Sequence, residues 1–305
     1  MGTRGSLRIL YPQGLHVRAR DGRHAMTNRI VQAFRGAGFD VTFAEDTLVE
    51  RLRTRAAGAH SIVHATDPVD SRGLVLRRAY VGAFWRLEPT EKRWDFDVAR
   101  QDFDPASVDG DEALRFLRRW RAELFGAATM NRTEGDRLFI PLQGRLLDHR
   151  RFQTMSPLAM VEAVCRARPT TPVVATLHPK YAYTPAERDG LGRLAQTLPN
   201  LSLSEVRSDR VLHHCAAVVC QNSAVAFTGY FLGVPAVLFA RIDFHHIAAK
   251  VEELGVEGAL SRLSAPAPDT ARYLWWFLKK NAIGAGSDGA EEQILAAARR
   301  AGWQV

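Results

Sequence analysis

The chain has 305 residues, of which 46% are apolar, so it is long enough to bury one large core or two medium-sized ones. Its 41 basic and 33 acidic residues give a net charge of +8, but most of the basic residues are arginines scattered along the chain. Because no basic tract and no RRM, KH or zinc-finger signature occurs, the sequence argues against a nucleic-acid-binding protein. The positive charge favours anionic ligands or an anionic membrane surface.

Cysteine usage and hydropathy indicate a cytoplasmic protein. Cys165, Cys215 and Cys220 have neither the count of a disulfide framework nor a paired CxxC spacing, so we expect buried thiols in a reducing compartment. The N-terminus has no apolar core of a signal peptide, and no stretch approaches the roughly 18–20 apolar residues that span a bilayer. We therefore expect a soluble protein that is neither secreted through such a signal nor integral to a membrane.

The first 70 residues alternate strand and helix patterns. Apolar strands are expected at residues 7–10 and 39–43, and a helical pattern between them stops at Gly36 and Gly38. A third strand lies within residues 60–67, so this part of the chain predicts βαβ units with a parallel sheet. Residues 80–105 break the rhythm and are expected to be irregular, and a basic amphipathic helix follows at residues 111–125.

A second alternation begins after residues 126–136, whose small and polar side chains are typical of a linker. The predicted strands are residues 138–142, 173–177, 201–203, 216–220 and 236–239, and the predicted helices are residues 157–166, 185–197 and 223–232. The fold class is therefore α/β, with two Rossmann-like lobes whose parallel sheets face each other across a cleft. The expected lobes are residues 1–134 and residues 135–305.

Three polar turns of the second half each follow a predicted strand directly. These turns are Gln143, then His178-Pro179-Lys180, then Gln221-Asn222-Ser223. In a parallel sheet they line the carboxyl edge, where ligands bind in such folds. The last turn opens a helix whose free N–H groups favour an anion, and the other turns add further donors. Each residue also has a plain structural alternative: Ser223 as a helix cap, His178 as a satisfied histidine and Gln143 as a turn residue.

The succession FIPLQ, VVATLHPK and AAVVCQNSAVAFTGYFLGVPAVLF, within residues 138–239, resembles the capsule polysaccharide biosynthesis protein family. Its characterised members look like GT-B glycosyltransferases that use CMP-Kdo, the activated form of a 3-deoxy sugar acid. A second segment of this chain, YLWWFLKKNAIG (273–284), resembles the family more weakly. In that family the His-Pro pair and the serine-containing turn resemble nucleotide-phosphate motifs of bacterial sialyltransferases. The resemblance thus implies that His178, Pro179 and Ser223 face the phosphate of CMP. It also implies that residues 1–134 form the acceptor-side lobe and that the last helix (288–300) crosses back. The family's paired serines are here Ser223-Ala224, so one hydroxyl of the pair is missing.

A GT-B transferase also needs a carboxylate or histidine that deprotonates the acceptor hydroxyl or acts as nucleophile. We favour Asp95 or Asp97, because an acidic pair among Trp94, Phe96 and Phe103 would be partly desolvated and its pKa raised. The other candidates are Asp67, Glu88, His16 and His24. The plain alternative is a pair of solvated acids beside packed aromatic rings.

No metal ion and no cofactor are expected. Adjacent residues on a helix point about 100° apart, so neither His213-His214 nor His245-His246 forms a metal site by itself, and no carboxylate recurs at helical spacing.

The function that we predict is sugar transfer from a CMP-activated sugar acid, Kdo, to a carbohydrate or lipid-linked acceptor. Two alternatives stay open: a UDP-sugar transferase or epimerase of the same architecture, and a non-catalytic binding subunit of a polysaccharide assembly complex. The basic helix at residues 114–125, together with Trp275-Trp276-Phe277 beside Lys279-Lys280, predicts peripheral docking at the inner face of a membrane.

Overall fold

The structure is a computed structural model and describes residues 5–126 and 135–305. The chain forms two compact α/β units, Met1–Gln101 with Phe277–Val305 and Asp102–Trp276, which we call the first and second unit. Each unit contains one six-stranded sheet. The boundary predicted within residues 126–136 falls mostly on residues 127–134, which lie outside the described residues, so that boundary stays a prediction.

The first sheet has the strand order β12-β5-β4-β3-β1-β2. The four consecutive strands β4, β3, β1 and β2 are parallel to one another. Strands and helices are numbered along the whole chain. The strands of this sheet are β1 (Gly5–Tyr11), β2 (Phe39–Glu45), β3 (His60–His64), β4 (Gly73–Arg78), β5 (Phe84–Glu88) and β12 (Ile283–Gly284). The helices of the first unit are α1 (Gln13–Arg20), α2 (Ala25–Gly36), α3 (Leu48–Ala56) and α11 (Ala290–Arg300).

The core of the first unit follows from alternation along β1. Leu7, Ile9 and Tyr11 are fully buried on the face that packs against α2 and α11, whereas Leu10 points to the opposite face. Burial on both faces explains why this parallel strand is a nearly continuous apolar run. The C-terminal helix α11 therefore completes a core that begins with the first strand of the chain.

The segment at residues 80–105 is more regular than the sequence predicts. It contains β5, which pairs antiparallel with β4, and three short 3₁₀ turns at Arg93–Asp95, Asp97–Arg100 and Pro105–Ser107. The parallel sheets are confirmed, but the first sheet also carries two antiparallel strands at its edge, β5 and β12. The sequence missed β5 because Phe84–Glu88 mixes charged and aromatic residues that are nearly all buried, so no alternation is visible.

The second sheet has the order β11-β10-β9-β6-β7-β8, and all its strands are parallel. Its strands are β6 (Arg137–Pro141), β7 (Val173–Thr176), β8 (Leu201–Ser204), β9 (Cys215–Cys220), β10 (Ala236–Leu238) and β11 (Ala249–Lys250). The helices of this unit are α4 (Gly110–Phe125), α5 (Pro157–Ala167), α6 (Pro185–Thr197), α7 (Ser208–Leu212), α8 (Ala224–Tyr230), α9 (Val251–Ser261) and α10 (Thr270–Leu274). The alternation predicted for this half is confirmed.

One expected surface is wrong. Two of the three aromatic rings predicted to lie exposed beside Lys279-Lys280 are packed inside, since Trp276 is 2% and Phe277 0% exposed, whereas Trp275 is half-buried. Phe277 lies under the Arg86 guanidinium at 4.5 Å, and Trp276 packs against Phe103 at 5.3 Å. Among the described residues, no helix is long and apolar enough to cross a membrane.

A buried carboxylate joins α6 to the loop that follows β6. Glu187, only 4% exposed, accepts hydrogen bonds from the Leu146 N–H at 2.6 Å and the Thr184 N–H at 2.8 Å. The Thr184 hydroxyl donates to the same group at 3.0 Å. The Thr184 and Leu146 amides hold the pKa of Glu187 below its ordinary value.

We expect Glu187→Gln to lower the free energy of unfolding by about 2–3 kcal/mol, because an amide nitrogen cannot accept from the N–H and O–H donors that surround it. Glu162→Gln is the matched control: Glu162 forms an exposed pair with Arg166, so its loss should cost at most about 0.5 kcal/mol. Urea denaturation measures both values. Because the pKa of Glu187 is lowered on folding, its stabilisation is present above about pH 4.5 and is lost as the pH falls through the folded value. A difference from wild type that is absent at pH 7, or that grows towards pH 3, would contradict this role.

Candidate functional site

The connections of the second sheet reverse direction between β6 and β9. From β6 the chain proceeds to β7 and β8 on one side, and it then returns to add β9, β10 and β11 on the other side. In open parallel sheets, ligands bind beyond the carboxyl ends of the strands at such a reversal. The turns singled out from the sequence follow β7, β6 and β9, three neighbouring strands, so all of them lie at this edge. We call this edge the second rim.

Two glutamine side chains flank the reversal, and each has a carbonyl oxygen without a donor. Gln221 follows β9 and is only 3% exposed, and its Nε2 donates to the Met155 carbonyl at 3.1 Å. Gln143 follows β6 and is half-buried. Among the described residues, the Oε1 atoms of both glutamines are buried and lack a hydrogen-bond partner. An unpaired buried acceptor costs about 1–3 kcal/mol, so we expect water or a bound ligand to donate a hydrogen bond to both oxygens.

The orientation of the Gln221 amide is determined by its neighbour. The Met155 carbonyl can only accept, so the nitrogen of Gln221 must face it and the oxygen must face the other way. The remaining acceptor therefore cannot be satisfied by flipping the amide.

Hydrogen bonds through the Tyr183 hydroxyl hold the His178 turn in place. The His178 N–H donates to the Tyr183 hydroxyl at 2.8 Å, and that hydroxyl lies 3.5 Å from the Leu142 carbonyl, so the ends of β6 and β7 are joined. The Lys180 N–H donates to Nδ1 of His178 at 3.2 Å. A neutral imidazole with an accepting Nδ1 carries its proton on Nε2, which is the atom available as a donor. His178, Pro179 and Lys180 are exposed.

The turn before α8 contains the residue that caps this helix. Ser223 is 6% exposed, and its Oγ accepts from the Val225 N–H at 3.3 Å. Its O–H remains able to donate, and Asn222 beside it is half-buried. The helix that begins here ends at Tyr230 rather than at residue 232 and has seven residues.

Backbone strain collects at strand ends. Apart from glycine, the described residues with positive φ are Ala65 (+60°), Tyr80 (+67°) and Arg145 (+62°). They follow β3, β4 and β6, each within four residues of the strand's last residue. Left-handed non-glycine residues of this kind are enriched at functional sites. At the second rim, the residue before Arg145 is Gly144. A larger residue does not fit at this position, because a Cβ would lie 2.1 Å from the Tyr181 ring.

The first sheet contains a corresponding reversal between β1 and β3, and aromatic side chains gather beyond it. The rings of Tyr11 and His64 lie 6.0 Å apart edge to face, and His24 contacts Tyr11 at 6.5 Å and Trp85 at 5.1 Å. Burial lowers the pKa of His64, and nearby Arg77 adds to the shift; burial likewise lowers that of His24. Both imidazoles are therefore neutral at pH 7.

The two histidines differ in their bonding. His24 caps α2, because its Nδ1 accepts from the Thr27 N–H at 3.3 Å and lies 2.6 Å from Thr27 Oγ1. His64 is half-buried and stands at the last position of β3, next to the strained Ala65. Sequence reasoning noted His24 but missed Tyr11 and His64. The signal for His64 was its position at the carboxyl end of a buried strand.

Asp95 and Asp97 lie in 3₁₀ turns after β5. Asp97 is exposed and pairs with Arg300 at 3.4 Å, and its N–H donates to the buried Glu88 carboxylate at 3.1 Å. Asp97 and Glu88 line a cavity of about 290 Å³ against α11, whereas Asp95 is half-buried and does not line it. The desolvation on which the case for Asp97 depends is therefore absent, although its position beside a cavity keeps it a candidate.

The two histidine pairs lie at different places in the second unit: His213-His214 precede β9, and His245-His246 follow β10. The imidazoles of His245 and His246 stack at 4.3 Å, and Nδ1 of His246 lies 3.0 Å from the Tyr273 hydroxyl. Within residues 5–126 and 135–305, no group of three or more histidine, cysteine or acidic side chains is arranged to hold a metal ion.

Comparison of the structure with solved proteins agrees with this architecture. The chain is similar to the β-Kdo 2,7 transferase KpsC of Thermosulfurimonas dismutans with a TM-score of 0.54 and 14% identity, over 96% of this chain and 98% of that one. The fold is thus GT-B-like, with two α/β lobes that each contain parallel strands. At this identity, the similarity establishes the fold alone.

Weaker similarities have TM-scores below 0.5 and support no conclusion by themselves. They include the β-Kdo 2,4 transferase KpsC of the same organism (0.43; 10% identity; 87% and 88% covered). Another is the UDP-GlcNAc 2-epimerase of Neisseria meningitidis (0.36; 11% identity; 97% and 99% covered). No protein-family model and no curated protein sequence matches the chain.

Proposed function

We propose that the chain is a glycosyltransferase of surface polysaccharide synthesis that binds a nucleotide sugar at the second rim. The observation that carries the proposal is the pair of unpartnered oxygens of Gln143 and Gln221 on either side of the strand reversal. A nucleotide sugar offers what this edge lacks, because its amino and hydroxyl groups donate hydrogen bonds and its phosphate accepts them.

The rim divides these tasks between two sets of side chains. Gln143 and Gln221 accept from the hydroxyl or amino groups of the nucleoside. The phosphate oxygens can only accept, so they require donors, which are Nε2 of His178, the Asn222 amide and the Ser223 hydroxyl. Two strand spacings, roughly 10 Å, separate β7 from β9, so side chains that lean inward over β6 can meet at one phosphate.

The donor that we propose is CMP-Kdo. A CMP-activated sugar acid carries a carboxylate as well as a phosphate, and Lys180 and Arg145 are exposed cations beside the rim. Pro179 restricts the backbone between the two potential donors of its turn. The similar fold of a β-Kdo transferase supports this choice. A cytoplasmic location is part of the proposal, and it fits three cysteines that are all free and buried.

The acceptor is proposed to be a carbohydrate or a lipid-linked glycan that binds to the first unit. Its hydroxyl must lose a proton, and His64 suits this step because a neutral imidazole near pH 7 can take it. Asp95 and Asp97 remain the alternative candidates, either as base or as nucleophile.

In isothermal titration calorimetry, we expect the wild-type protein to bind CMP and His178→Ala to bind it roughly 10-fold to 100-fold more weakly, because a hydrogen bond to a charged group contributes about 1.5–3 kcal/mol. Ser223→Ala should weaken binding less, since the backbone amides of the turn remain. His214→Ala is the control: His214 is also exposed, but it precedes β9 and so lies at the opposite edge of the sheet.

Unchanged CMP affinity in His178→Ala would contradict the phosphate site. A thermal-shift series with CMP, UDP and GDP separates the alternatives: stabilisation by UDP alone would favour a UDP-sugar enzyme, and no response to any of the three would favour a non-catalytic subunit.

For the first unit, we expect His64→Ala to lower kcat by about 10²-fold to 10⁴-fold while CMP affinity stays at its wild-type value. His60→Ala controls for general damage, because His60 starts the same strand and packs against Trp303 at 4.4 Å. Asp95→Asn and Asp97→Asn are measured in parallel. A large loss in either aspartate variant with an active His64→Ala would transfer the role to that aspartate.

A further inference from the structure

Helix α3 of the first unit turns its apolar face towards solvent instead of towards the core. Its large apolar side chains face solvent: Leu48 is 70%, Val49 56% and Leu52 48% exposed. These residues stand at positions i, i+1 and i+4 and so share one face of the helix. A surface helix normally turns such a face towards the core. Exposed apolar side chains that cluster in this way, rather than singly, indicate a contact surface.

The opposite face of α3 meets the sheet through polar groups. Glu50 accepts from Arg8 of β1 at 2.5 Å, and Arg51 forms two hydrogen bonds to the carboxylate of Asp46. Thr54, only 2% exposed, donates to the Glu50 carbonyl at 2.7 Å. Because these bonds hold the helix, its leucines contribute little to folding of the unit. Stability therefore gives no reason for Leu48, Val49 and Leu52, and another reason is required.

The charges on the solvent-exposed face of α3 indicate what kind of partner binds there. Arg53 and Arg55 are exposed beside the apolar residues, and the only carboxylate of α3, Glu50, is paired with both Arg8 and Arg53. The face thus combines apolar side chains with cations and presents no free anion. This combination is complementary to a bilayer with anionic headgroups, into which the apolar residues dip while the arginines meet the lipid phosphates.

The size of the face argues against a stable protein partner. Each side of a stable protein interface contributes roughly 20–30 residues, whereas the apolar face of α3 consists of three. Shallow insertion into a membrane needs no such area, because anionic attraction adds to the apolar contribution. We propose that α3 docks the first unit onto an anionic lipid surface. This inference is independent of the sugar-transferase proposal.

The test is co-sedimentation of the full-length protein with vesicles of phosphatidylcholine alone and of phosphatidylcholine with phosphatidylglycerol. We expect binding to the anionic vesicles only. The triple variant Leu48→Ser/Val49→Ser/Leu52→Ser should lower the partition coefficient at least about tenfold, with an unchanged circular dichroism spectrum. Arg53→Gln/Arg55→Gln should weaken binding and reduce its dependence on salt.

The control is Leu114→Ser on α4, the basic helix from which the sequence predicts docking. Because we assign docking to α3 instead, this change at a 43% exposed leucine should leave vesicle binding intact. Three results would overturn the proposal. They are equal recovery with both vesicle types or with neither, a loss of binding in Leu114→Ser but not in the triple variant, and light scattering that shows a dimer which the triple variant abolishes.

Discussion

The parallel pairing of β6 with β9 is the constraint on which the candidate site depends. These strands are neighbours in the sheet but are far apart in the chain, and the connections that leave them run in opposite directions. The loops beyond their carboxyl ends therefore diverge, and the Oε1 atoms of the glutamines that follow the two strands, Gln143 and Gln221, have no donor among the described residues. Gln221 shows the result most clearly, since Met155 fixes its nitrogen and leaves its oxygen without a donor.

The surrounding contacts hold this edge in a fixed arrangement. Tyr183 joins the ends of β6 and β7, and Glu187 joins α6 to the loop after β6. Preorganisation of this kind reduces the entropy that a ligand would otherwise lose on ordering the loops. The first unit repeats the principle at β1 and β3, where burial among aromatic rings keeps His64 neutral. A polar site on a strained, braced edge is costly for folding, which is the physical reason to assign it a function.

How much could be predicted from the sequence depended on whether a signal was local. Strands β6, β7 and β9 are apolar runs that end in polar turns, so their positions and the edge occupied by His178 and Gln221 were predictable. Strand β5 was not, because Arg86 and Glu88 are buried by contacts with residues distant in sequence, such as the Phe277 carbonyl. Asp97 was favoured for desolvation, but it is exposed, and its ion-pair partner Arg300 lies about 200 residues away in the chain. The solvent exposure of the apolar face of α3 could not be predicted either, since its apolar residues have the spacing of an ordinary buried face.

The most direct test of the central claim is a crystal structure of the protein with bound CMP. The account predicts that a donor atom of the nucleotide lies within about 3.2 Å of Oε1 of Gln221 and another within about 3.2 Å of Oε1 of Gln143, with the phosphate at His178. Nucleotide bound elsewhere, or bound at this edge with both glutamine oxygens still unpaired, would contradict it.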